Sequence, residues 1–237
     1  MSGNDDRKKI LAIMMMVVGL VLLLVSFILP WWGLHQEVEG LGSVGGFGVS
    51  ISSGISYQGS GTGFYIGGIT TVVYFVAAIL IILALICASL MVTTLIISLI
   101  HNNKIKPNLT MQLGVLALVF CLLAPIMFMI ALPMAMKADA KKEAEDQGEE
   151  YNEPDGDSPT KSFFGSYEKE GIGIKSYWGG DIGWFLSFIS FLFLAISVNM
   201  IRPRKTAPPA EQVPTETIYQ PEPQPPHQVR YGRPPPP

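Results

Sequence analysis

Charge is what this sequence most lacks, and it lacks it in blocks. No Asp, Glu, Lys or Arg occurs between Glu39 and Lys104 or between Lys106 and Lys137, and further charge-free stretches cover residues 10–35 and 182–201. A soluble helix keeps a polar face. These stretches have none, and each exceeds the roughly 18 apolar residues at which a spanning helix is the default reading. Ionisable groups at span centres are the usual mark of ion coupling, proton relay or intramembrane catalysis. Their absence argues against a pump, an ion-coupled transporter and an intramembrane protease.

Cysteine is the second scarcity. Cys87 and Cys121 are the only two, and both fall in mid-span. The connecting loops therefore carry no disulfide framework, which points toward a prokaryotic source. Buried free thiols behave as small hydrophobes, and neither cysteine has a base nearby in sequence. A phosphate loop, a paired-histidine metal motif and a serine elbow are also missing, and no internal repeat is evident. No enzymatic activity, cofactor, metal or nucleic-acid partner is expected.

What is present is an alternation of apolar runs and loops. Four spans are expected at residues 10–30, 69–101, 111–136 and 182–201. The first follows Arg7, Lys8 and Lys9 as a signal peptide would, but it is long for one and lacks a small-residue cleavage site, so it reads as retained. Basic residues flank one side: Arg7 to Lys9, then Lys104 and Lys106, then Arg202, Arg204 and Lys205. The positive-inside rule puts both termini in the cytoplasm, leaving residues 1–9, 102–110 and 202–237 inside and loops 31–68 and 137–181 outside, in a cell membrane. The second loop is acidic, with six Lys against twelve Asp and Glu over residues 137–181. Trp31, Trp32, Trp178 and Trp184 all fall beside the outer boundary and read as interfacial anchors.

In the first outer loop Phe47, Val49 and Ile51 alternate with Gly48 and Ser50, the period of a strand, and Tyr57, Phe64 and Tyr65 add β-forming residues. In the second, residues 138–150 carry a charged helical pattern that extends the third span. Residues 161–167 and 172–177 look like two strands completing a small antiparallel sheet. The expected fold is thus a membrane all-α bundle of four helices, capped by an outer sheet built from both loops. Residues 206–237 are so rich in proline that they are expected to stay disordered or polyproline-like.

Several residue groups invite a chemical reading. His35, Glu37 and Glu39, spaced by two, would share one face of a strand as a zinc set does, but a single segment with one histidine reads as solvated polarity. Asp155 and Asp157 have the first spacing of a calcium loop, which Pro159 and the missing glycine spoil. Pro125 and Pro133 interrupt the bonding of the third span and are expected to kink it. Ala84 and Ala88 form a small-xxx-small pair suited to helix packing.

Four spans, a β-forming first loop and the run Pro30-Trp31-Trp32-Gly33-Leu34 just after span one resemble the claudin and peripheral-myelin-protein group. That group carries a Trp and a Gly-Leu-Trp motif in its first loop and uses its outer sheet for contacts between molecules. Here His35 follows Gly33-Leu34 where the family has Trp, and the family's paired loop cysteines are missing. With no ionisable group in the span centres, recognition is expected from exposed surface, and the expected function is a non-catalytic scaffold or accessory subunit in the lipid bilayer, meeting a membrane-protein partner or its own copies. Tyr57, Phe64 and Tyr167, farthest from the span ends, are the expected contacts, and the proline-rich tail would recruit a cytosolic partner. An oligomeric channel or passive transport subunit and an envelope sensor are the alternatives.

Overall fold

A computed structural model describes residues 2–52, 54–57, 62–63, 68–101, 107–169 and 173–202. Phe64 and the proline-rich tail lie outside the described residues.

The apolar runs are helices: α1 (Ser2–Ile28), α2 (Gly68–His101), α3 (Pro107–Asp146) and α4 (Ile182–Ile201). All four are long and apolar enough to cross a membrane. Between α1 and α2 lie β1 (Pro30–Val38), β2 (Gly42–Ser50), β3 (Gly54–Tyr57) and β4 (Thr62–Gly63); between α3 and α4 lie β5 (Gly165–Lys169) and β6 (Ile174–Gly180). They form one antiparallel sheet in the order β4-β3-β2-β1-β6-β5. Both second-loop strands lie later in the chain than expected: β5 starts at Gly165 rather than at residue 161, and β6 runs on to Gly180 rather than ending at residue 177. Residues 161–164 are turn rather than strand, because the Lys161 and Ser162 N–H groups bond back to the Ser158 carbonyl and Phe163 turns inward.

The helices pack as two antiparallel pairs, α1 with α4 and α2 with α3, joined by lesser contacts of α1 with α2 and α3 with α4. The α1–α4 pair has a repeat that hydropathy alone conceals. Ser197 Oγ donates to the Ala12 carbonyl, Ser190 Oγ to the Gly19 carbonyl, and Ser26 Oγ to the Gly183 carbonyl, each at 2.7 Å. From rung to rung both helices advance seven residues, about 10.5 Å or two turns. The positions concerned (12, 19 and 26; 183, 190 and 197) hold only Ala, Gly and Ser, so the backbones approach closely and each buried hydroxyl finds a carbonyl on the other helix. The α2 seam has the same spacing in aliphatic form. Ala77, Ile81, Ala84, Ala88, Met91 and Leu95 are buried at steps of four and three, so Ala84 and Ala88 belong to a longer stripe.

α3 runs unbroken through Pro125 and Pro133, both turned into the bundle. It continues ten residues past Met136, the last of its charge-free run, to Asp146. On that extension Asp139 reaches back to the start of α2, where its two carboxylate oxygens accept from the N–H groups of Ile69 at 2.6 Å and Thr70 at 2.8 Å. Gly68, at φ +73°, is what lets the chain enter the helix there, since a Cβ would collide with that carboxylate.

Candidate functional site

The sheet is an outgrowth of one helix pair. α1 ends at Ile28, β1 begins two residues later, and β6 leads into α4 through Asp181. β1 and β6 are paired over Trp32 to Val38 opposite Gly180 to Ile174. At the junction the Asp181 N–H donates to the Trp31 carbonyl at 3.0 Å, and Asp181 Oδ1 caps α4 through the Ile182 N–H at 2.7 Å. The antiparallel helix pair thus passes directly into an antiparallel strand pair.

An aromatic joint holds the sheet on all four helices. Phe128 of α3 makes edge contacts with Trp31 at 5.4 Å, Tyr74 of α2 at 5.0 Å and Phe163 at 5.9 Å between ring centres. Phe163 packs in turn on Trp184 of α4 at 5.5 Å. The four tryptophans, expected at the lipid interface, are turned into the protein instead: Trp31 is 0 % exposed, Trp32 2 %, Trp178 5 % and Trp184 8 %. Each indole N–H donates to a backbone carbonyl, Trp31 to Ser26 at 2.7 Å, Trp32 to Phe163 at 3.2 Å, Trp178 to Ser162 at 3.2 Å and Trp184 to Pro125 at 3.1 Å. A tryptophan beside a membrane boundary satisfies the same hydropathy pattern whether its ring faces lipid or protein. Here the hydrogen bonds and edge contacts favour protein. The Tyr74 hydroxyl is buried in this joint with no hydrogen-bond partner among the described residues.

Away from the joint the sheet is polar and half-open. Three adjacent strands place Gly48, Gly33 and Gly179 in one cross-strand row. A Cβ at Gly48 would meet Pro30, at Gly33 the His35 and Asp181 side chains, and at Gly179 the Phe164 ring, so the glycines make room for those groups to lie flat on the sheet. His35 Nε2 stands 3.9 Å from Asp181 Oδ2. Glu37 opposes Lys175, whose Nζ pairs with Glu168 Oε2 at 3.0 Å, while Glu39 lies beyond the strand. Glu39 also lies near Lys175, and its N–H donates to the Gly173 carbonyl at 2.9 Å. Among the described residues no group of three His, Cys, Asp or Glu is placed to hold a metal. In the acidic segment Lys137 pairs with Glu153 at 2.7 Å and Lys141 lies over the Tyr151 ring, while Asp155 and Asp157 face solvent. The Glu153 partner pushes the Lys137 ammonium above its usual range, and the same bond holds the Glu153 carboxyl low.

Of the expected contact residues, Tyr167 is exposed on edge strand β5, opposite Ser176. Tyr57 occupies the β3 position opposite Phe47. Tyr177 of β6 and Phe164 are also exposed, each beside a buried aromatic neighbour, Trp178 and Phe163, and composition alone does not tell which ring of each pair turns outward. Cys121 is buried, with Sγ 3.5 Å from the Ser187 carbonyl, as a small packing residue at the α3–α4 seam.

Four apolar helices and a sheet locked to them by an aromatic joint define a multi-pass membrane protein. No protein-family model matches the chain, and a search of curated proteins finds no relative.

Proposed function

We propose that the protein is a non-catalytic membrane scaffold or accessory subunit that presents its sheet outside the cell membrane to a partner, with both termini in the cytoplasm. The observation that carries this reading is the rigid attachment of the sheet. A surface whose neighbouring strands β1 and β6 continue α1 and α4, and whose base is pinned by four buried tryptophans, is pre-organised, and pre-organisation lowers the entropic cost of binding. Tyr167 and Tyr177, exposed on opposite faces of the β5–β6 pair, supply the residue type most often central to interface hot spots. The polar groups inside the bundle support a structural rather than a conducting interior, because the Ser26, Ser190 and Ser197 hydroxyls are all engaged with backbone carbonyls. On this reading the proline-rich tail recruits a cytosolic protein, and the likeness to the claudin group extends to contacts made through the outer sheet.

The test is crosslinking in intact cells from a photoreactive residue at Ser166, exposed on β5 and directly opposite Tyr177 on the same face of the sheet. A discrete crosslinked species that is lost in the Tyr177→Ala variant, with membrane insertion unchanged, supports the reading. Crosslinking only from positions within the spans transfers recognition into the membrane and ends it.

A further inference from the structure

α4 marks where the hydrocarbon ends on the sheet side. Its 20 charge-free residues cover about 30 Å at ~1.5 Å each, one hydrocarbon thickness, with Asp181 before them and Arg202 after. The exposed residues Ile182, Phe185, Ile189, Leu192 and Ile196 recur at steps of three and four, a single apolar stripe turned toward lipid. Aromatic rings at the end of a span are its usual interfacial anchors. The four tryptophans do not serve here, because all of them are turned into the protein.

Phe164 stands in that place. Its ring meets Trp184 edge-on at 5.5 Å, and Phe185 meets the same indole at 5.0 Å, so two exposed rings flank one buried one. Phe164 also covers Gly179, two residues before Asp181, where a Cβ would collide with it. The ring thus carries the apolar surface of α4 past the start of the helix, to the depth where acyl chains give way to headgroups.

The backbone behind the ring suits that depth. Irregular chain lies against lipid only where its polar groups are bonded within the protein. The Lys161 and Ser162 N–H groups bond to the Ser158 carbonyl, and the Ser162 and Phe163 carbonyls accept from the Trp178 and Trp32 indoles. Lys161 Nζ, the one ammonium in residues 158–164, donates to the Pro154 and Gly156 carbonyls at 2.7 and 2.9 Å and is held on its own loop. Phe163, 4.8 Å from Phe164, turns into the aromatic joint, so the turn grips the bundle with one ring and leaves the next outside.

We propose that Phe164 is a membrane anchor, seated between acyl chains and headgroups of the leaflet on the sheet side, so that the turn at residues 158–164 rests on the bilayer. Lipid is the occupant because the ring continues a helix face that lipid covers. The inference requires α4 to cross the membrane, but neither a particular side for the sheet nor the role given to it above.

The test uses the full chain, purified and reconstituted in phosphatidylcholine vesicles, as Phe164→Trp and, for comparison, Tyr167→Trp on the edge strand. Emission gained over the parent at position 164 should be quenched several-fold more by lipids brominated near the headgroup end of the chain than by aqueous acrylamide. At position 167 the order should reverse. Gained emission at 164 that acrylamide quenches and brominated lipid does not would leave the turn in water and overturn the proposal. Emission that neither quenches would mean that protein covers the ring, which overturns it equally. Should Phe164→Trp melt below the parent, a nitroxide on Phe164→Cys, with Cys87 and Cys121 replaced by Ala, decides instead: greater access to oxygen than to an aqueous nickel complex supports the anchor, and the opposite order ends it.

Discussion

Ser190 Oγ donates to the carbonyl of Gly19 at 2.7 Å, across 171 residues of sequence, as the middle of three equally spaced rungs between α1 and α4. Interhelical hydrogen bonds of this kind contribute about 0.6 kcal/mol on average and at most about 1.7. Ser190→Ala should therefore cost on the order of 1 kcal/mol. Gly183→Ala should cost more, because its Cβ would lie 2.6 Å from the Leu29 carbonyl and 2.7 Å from that of Pro30, and backbone cannot step aside. Reversible unfolding in mixed micelles checks the order; equal losses would show that the close approach at Gly183 relaxes.

Asp139 gives the pH dependence. Partial burial alone would raise its carboxyl, but hydrogen bonds from the Thr70 side chain and from the Thr70 and Ile69 N–H groups, with Lys142 nearby, outweigh burial and hold it below the usual range. A folded-state value below the unfolded one means stability that is fully present above the unfolded pKa and lost as pH falls through the folded value. Thermal stability should be level above about pH 5 and decline below about pH 4. Asp139→Ala should remove part of that decline and cost about 0.5–2 kcal/mol at neutral pH, as for other helix caps. Melting curves of the two proteins between pH 3 and 7 decide it; parallel curves would deny Asp139 this part.

Tyr74→Phe should leave the fold intact and raise stability by about 1 kcal/mol, because a buried hydroxyl without a partner costs about that or more. Lower stability in the variant would mean that the hydroxyl is bonded in the membrane.

The tryptophans separate two readings by spectroscopy. Rings buried against Phe128, Phe163 and backbone carbonyls should emit in the blue and resist quenching by brominated lipids, whereas interfacial rings are quenched. Quenching of most of the emission by bromine placed near the headgroups would return them to the lipid boundary.

Much of this architecture is written in the sequence, though unevenly. The spans are legible because charge is excluded from whole helices, and the α3 extension because residues 138–150 keep a helical spacing of charges. The Phe47 and Val49 alternation marks β2, although the strand ends at Ser50, and Ser50 and Ile51 are buried along with Val49. The serine ladder is not legible: Ser26, Ser190 and Ser197 look like neutral residues in apolar runs until the register of α1 on α4 is known. Phe163 and Phe164 favour strands by propensity, yet Phe163 is taken into the aromatic joint and the strand starts at Gly165. Tertiary burial outweighed local preference there. The glycine row is invisible for the same reason, since Gly33, Gly48 and Gly179 meet only through pairing across three strands.

The account turns on the sheet lying outside the cell, and side-specific cysteine labelling tests that most directly. In a background lacking Cys87 and Cys121, a cysteine at Ser166, exposed on β5, should react with an impermeant maleimide in intact cells. One at Ser2, at the start of α1, should react only after the cells are opened. Labelling of Ser2→Cys in sealed cells with protection of Ser166→Cys would invert the topology and contradict the proposed function.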